Sequence, residues 1–100
     1  MMNIADEVKF NTFKPTMVAI EKTAALNVFA LGLLKDQTLP HHKTQVPALL
    51  IVLSGELLFC INAEKMKFKK FDTYQIPLDV GHEVIGLCDK NIFLIVKENK

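Results

Sequence analysis

The sequence predicts an all-β protein made of two antiparallel sheets, with at most one short helix near the N-terminus. Three observations predict it. Apolar runs of strand length recur along the chain with turn signals between them. Lys65 to Lys70 alternates strictly, with Met66 and Phe68 between Lys65, Lys67 and Lys69. Pro47 to Ile61, PALLIVLSGELLFCI, holds two unbroken apolar runs split by Ser54, Gly55 and Glu56. Each run is too short for a stable helix of its own, and neither approaches the roughly 20 residues that a membrane helix needs. Gly55 supplies the turn conformation of a tight hairpin, so Ala48 to Leu53 and Leu57 to Ile61 are expected to pair as the central hairpin, apolar on both faces.

The remaining elements follow in order. Asn3 is placed to cap a short helix through Val8, with Ile4 and Val8 on one face, and Pro15 bars its extension. Thr16 to Glu21 reads as a first strand and Thr23 to Ala25 as a turn. Leu26 to Leu34 reads as a longer strand with Phe29, Leu31 and Leu33 on one face. Its other face, Val28, Ala30 and Gly32, is small enough for another layer to come close. Lys35 to Gln37 turns the chain into Thr38 to Gln45, which holds His41 and His42. After the central pair, Asn62-Ala63 is a second tight turn. Asp72 turns the chain again, Thr73 to Ile76 is a strand ended by Pro77, and Val80 to Leu87 carries His82. Asp89 to Asn91 turns back into Ile92 to Val96, and the charged Lys97 to Lys100 is expected to fray. About nine short strands at this spacing suit a sandwich or barrel.

Composition bounds the function. One hundred residues make one domain, and 50% apolar residues exclude disorder. A formal charge of +1 gives no electrostatic footprint for nucleic acid or an anionic membrane, and the lysine alternation is expected to be a solvated strand face. The acidic start, MMNIADE, does not resemble a secretory signal, so a cytoplasmic location is expected. Cys60 and Cys88 lack metal-type spacing and are expected to be reduced thiols. Phosphate-binding glycine loops and Ser-His-Asp sets are absent from the sequence.

Val52 to Leu57, VLSGEL, resembles the core of the first cupin motif, and Pro40-His41-His42 stands before it where cupins carry metal-binding histidines. Asp72, Pro77 and His82 in FDTYQIPLDVGH are similar to the second motif, with Phe71 where a glycine is usual. The resemblance covers about residues 26–96, with 1–15 as an N-terminal arm. It implies a jelly-roll barrel, the double-stranded β-helix, commonly dimeric, with a ligand pocket between the sheets. It also implies a metal site from which parts are missing. The motif's two histidines fall on His42 and Thr44, or on His41 and Lys43, and its glutamate falls on Ala48 or Pro47.

Adjacent residues of a strand point to opposite faces, so only one of His41 and His42 can enter the barrel, and His42 is favoured. His42 is read as a pocket hydrogen-bonding group or metal ligand, against a polar residue at a barrel mouth. His82 is read as a pocket group or ligand, against a satisfied core histidine. Tyr74 is a further pocket candidate, against simple packing, and Glu83 is expected to point away. The expectation is a small organic ligand in the barrel and no tightly bound cofactor. A divalent transition metal on His42, His82 or His41 is the alternative, and with it a metal-dependent dioxygenase or isomerase. A third reading is an interaction module. The chain itself is the expected partner, as a homodimer covering the outer face of the apolar runs.

Overall fold

The structure, a computed structural model, describes residues 1–99. In chain order the elements are α1 (Ile4–Glu7), β1 (Thr16–Lys22), β2 (Leu26–Leu34), β3 (Thr38–His42), β4 (Ala48–Ser54), β5 (Glu56–Ile61), β6 (Glu64–Lys69), β7 (Thr73–Ile76), β8 (His82–Gly86) and β9 (Lys90–Glu98). They form a five-stranded sheet in the order β1-β2-β9-β4-β7 and a four-stranded sheet in the order β3-β8-β5-β6, with antiparallel pairing throughout. Among consecutive strands only β1 with β2 and β5 with β6 pair as hairpins. Every other connection carries the chain from one sheet to the other, which winds the strands into a double-stranded β-helix.

The expected central hairpin is therefore corrected. β4 pairs with β7 and β9, while β5 pairs with β6 and β8, so the Ser54-Gly55-Glu56 interruption is a corner between sheets. Gly55 has φ of 77°, the left-handed conformation that read as a hairpin turn. Local sequence gives the same signal for either outcome, because the choice lies in which distant strands are free to pair. The turn at Asn62-Ala63 does close a two-residue hairpin, with both residues at positive φ as such a turn requires. β8 is shorter than expected and β9 longer. Lys97 and Glu98 pair with Asn27 and Leu26, and the Asn99 side chain donates to the Thr23 carbonyl at 2.7 Å. The charged end thus does not fray through Asn99, and Lys100 lies outside the described residues.

Alternation decides what is inside. Leu31 and Leu33, Ala48, Leu50 and Val52, Leu57, Phe59 and Ile61, and Phe93 and Ile95 face each other across the two sheets as the main core. Lys65, Lys67 and Lys69 are exposed on the outside, as the alternation of β6 requires. The small face of β2 meets the layer expected for it. Val8, Ala30 and Ile92 form a second buried cluster, joined by Ile4, Phe10, Val18 and Leu94. A Cβ at Gly32 would lie 2.5 Å from Val8 Cγ1, too close for any side chain there. Asn3 caps α1 by accepting from the Asp6 N–H at 3.2 Å, and so fixes the segment that reaches Val8. At this end of the sheet the outer apolar face is covered from within the chain. The arm, through Val8 and Phe10, and β1, through Val18, accordingly pack on the large sheet.

Phe71 stands in the left-handed region at φ 74°, where the resembled motif has glycine. For a non-glycine residue that conformation costs about 1–2 kcal/mol. It is held by the turn around it. The Phe71 N–H donates to the Val52 carbonyl at 2.8 Å, the Val52 N–H donates to Asp72 at 3.0 Å, and the Asp72 carboxylate accepts from the Lys69 N–H at 2.8 Å.

One end of the barrel is closed by a residue that the sequence placed in a mere turn. Asn91 is fully buried, and its carboxamide makes four hydrogen bonds. Oδ1 accepts from the Glu56 N–H at 2.9 Å and the Cys88 N–H at 3.0 Å, while Nδ2 donates to the Leu33 carbonyl at 3.0 Å and the Cys88 carbonyl at 2.8 Å. Gly55 and Gly86 flank it, and a Cβ on either would collide with the carboxamide. Asn91→Ala would strip partners from buried backbone groups that cost about 1–3 kcal/mol each when unsatisfied. Urea denaturation should show a loss of about 3–5 kcal/mol, with water entry limiting the sum. A loss under about 1 kcal/mol would show that this end is held by apolar packing instead.

Candidate functional site

The opposite end of the barrel is open. There the inner faces of both sheets diverge around a cavity of about 410 Å³. Its walls are apolar: Phe29 and Leu31 from β2, Leu50 from β4, and Phe93 and Ile95 from β9 contribute from the large sheet, and Leu39 and Val84 from the small one. The polar side chains at its border include His42, His82, Lys43 and Lys97, and no aspartate or glutamate lines it.

His82 opens β8 and its partner in the strand ladder is His42, at the end of β3. Between Leu39 and His42 the register of β3 shifts, so the backbone bulges at Pro40-His41, where proline withholds a ladder donor. The bulge still leaves His41 and His42 on opposite sides. The His42 ring lies 4.3 Å from the His82 ring, centroid to centroid, tilted by 59°. His82 is 2% exposed and stacks on Phe59 at 5.2 Å, whereas His42 is exposed at the mouth. His42 Nδ1 lies 2.8 Å from the Pro40 carbonyl, and His82 Nδ1 lies 3.3 Å from that of Val80. A carbonyl can only accept, so both contacts assign the proton of the neutral ring to Nδ1 and leave Nε2 as an acceptor. Burial holds the His82 imidazole below the usual histidine range. The Val80 carbonyl opposes that shift, and the proximity of His42 and His41 adds to it.

The other candidates stand apart from this pair. His41 lies on the outer side, with its ring over Gly81 where no Cβ would fit, in a shallow groove that also touches Cys60, Glu64 and Glu83. Tyr74 does not line the cavity. It packs between Phe59 and Phe68, with ring centroids 5.1 and 5.2 Å away, and is separated from His82 by Phe59.

The residues present do not fit the metal site of the resembled motif. Thr44 is buried, with its hydroxyl donating to the Val46 carbonyl at 2.8 Å and accepting from the Val46 N–H at 3.3 Å, so it is committed to a local turn. Ala48 belongs to the core. Among the described residues no three His, Cys, Asp or Glu side chains are grouped to hold a metal ion. Two imidazoles fall short of the three protein ligands of catalytic zinc or the two histidines and carboxylate of non-haem iron.

Lys43 and Lys97 also line the cavity, and sequence reasoning did not single them out. Lys97 was legible in principle, since Phe93, Ile95 and Lys97 continue one inward alternation, and the error was to end the strand at Val96. Lys43 carries no such signal, because it follows a bulge that no local pattern announces. Among the described residues, no helix is long and apolar enough to cross a membrane. Cys60 and Cys88 are free thiols, as expected.

No protein-family model matches the chain, and no curated protein does. Solved structures do. An uncharacterised protein with a double-stranded β-helix domain from Klebsiella pneumoniae superposes with a TM-score of 0.88 at 17% identity, over 98% of this chain and 88% of that one. A cupin superfamily protein from Desulfitobacterium hafniense gives 0.87 at 12% identity, over 99% and 90%. An RmlC-like cupin protein from Desulfovibrio desulfuricans gives 0.84 at 17% identity, over 97% and 94%. Strand order, sheet-changing corners and these superpositions agree, and the chain has the cupin fold, a double-stranded β-helix.

Proposed function

We propose that this protein binds a small, largely apolar organic molecule inside the open end of its barrel and does so without a resident metal. The cavity carries the reading: about 410 Å³ bounded by Phe29, Leu31, Leu50, Phe93 and Ile95 is the size and character of a small-molecule site. The histidine pair supports it as an orienting element, since neighbouring imidazoles whose Nε2 atoms accept suit a hydroxyl or amide donor on the ligand. Titrating octan-1-ol into labelled protein tests the reading by amide chemical shifts. Saturable shifts should centre on Leu31, Leu50, Phe93 and Ile95, and shifts scattered over the outer sheet faces would count against it.

The metal-dependent enzyme reading has only the two imidazoles to rest on. Elemental analysis of untagged protein purified without added metal should give far less than one transition metal per chain, because a missing ligand or two lowers affinity by orders of magnitude. About one metal per chain, abolished by His82→Ala, would reverse the order of the two readings.

Burial of His82 has a pH signature. Its folded pKa is lowered, so below the usual value of about 6.5 the unfolded chain binds the proton more readily than the folded one. The contribution is therefore complete above that value and is lost as pH falls towards the folded pKa. Between about pH 7.5 and 5, wild type should lose more stability than His82→Gln, by no more than about 1.4 kcal/mol per pH unit. Equal slopes in the two proteins would show that His82 keeps its ordinary titration.

A further inference from the structure

We propose that the ligand class of this cavity is an organic monoanion, an apolar body bearing one carboxylate that is seated at Lys43 and Lys97. The inference rests on the reading of the cavity as a ligand site and specifies what that site selects.

Charge asymmetry carries it. The chain as a whole is nearly neutral, with 12 basic and 11 acidic residues, yet the cavity border holds two lysines and no carboxylate. Lys97 reaches it because β9 continues past Ile95 with its inward alternation intact, and the strand is held there by pairing with Asn27 and Ala48. Lys43 reaches it from the segment between β3 and β4. Among the described residues neither has an ion-pair partner, and the ion pair present is Lys67 with Glu56, at 3.4 Å on the outside of the small sheet. A cationic ligand would meet two like charges there, and a neutral one would leave both without a partner.

The same geometry decides where the charge sits. Each histidine already gives its Nδ1 proton to a backbone carbonyl, so when neutral it presents only an accepting Nε2, which repels an anion. Lysine ammonium groups are donors with full charge, and Lys43 and Lys97 are the residues at the cavity border that carry them. The head group is small and singly charged. A phosphate ester would add to the lysines a nest of backbone N–H groups, and the cavity lining contains no glycine to form one.

Three probes of one chain length test the proposal: octanoate, octan-1-ol and octylammonium, each below micelle formation, titrated by calorimetry with amide shifts to locate binding. Octanoate should bind most tightly and octylammonium least. Lys43→Met and Lys97→Met should each weaken octanoate about fivefold relative to octan-1-ol measured on the same variant, as suits a partly exposed ion pair. Wild-type affinity for octanoate should fall with added salt while that for octan-1-ol does not, a readout that needs no variant to fold. If octan-1-ol binds in the cavity as tightly as octanoate, or octylammonium more tightly, the anion preference is overturned and the cavity reading stands. Failure of all three to shift cavity amides overturns both.

Discussion

The four hydrogen bonds of the Asn91 carboxamide are the constraint on which this barrel depends. A sandwich whose chain changes sheets at nearly every connection has many corners, and each corner exposes backbone groups that no ladder pairs. At the closed end Glu56, Cys88 and Leu33 present such groups to one point, and a single buried amide answers them. The arrangement needs space, which is why Gly55 and Gly86 stand beside it without side chains. In a low-dielectric interior a network of this kind is worth most when complete and costs most when broken. It ties β2, β5 and β9, strands from both sheets, at the end opposite the cavity.

Closing one end firmly lets the other remain open. Leu33, Val52, Leu57 and Phe93 fill the barrel towards Asn91, all fully or almost fully buried. Towards the other end the walls remain apolar, and Phe59 supports the site by stacking its ring on that of His82. The Tyr74, Phe68 and Phe59 rings form a continuous aromatic wedge between the sheets. His82 thus holds its place by burial and stacking, with one hydrogen bond to its own strand's approach, and it needs no metal to explain its position.

The motif resemblance and the geometry separate what this chain shares with other proteins of its fold from what it lacks. The turn chemistry is retained even at a cost, as Phe71 shows in a conformation that favours glycine, because the Val52 and Asp72 hydrogen bonds fix the backbone there. Thr44 commits its hydroxyl to a local backbone turn, and Ala48 fills core volume. The cavity itself is apolar, with His42, His82, Lys43 and Lys97 at its border.

Much of this was legible in the sequence by itself. Periodicity of two separated the faces of β2 and set Met66 and Phe68 of β6 inward, because a strand has only two faces, whereas β5, apolar on both, left its inward face to the packing. It likewise determined that His41 and His42 part company and that Gly32 accepts a covering layer. Turn residues located the strand ends to within a few positions. The tertiary structure alone decided which strands pair. Gly55 signals a change of direction, but a hairpin and a corner between sheets begin with the same left-handed residue, and the difference lies in whether β9 and β7 take the edges of β4. It alone decided that Tyr74 packs against Phe59 and that Asn91 is the centre of a closed end. Lys97 and Lys43 at the cavity border also come from it. Local sequence restricts each residue's own conformation, whereas burial, partner and site membership depend on chain segments tens of residues away that only the folded packing brings together.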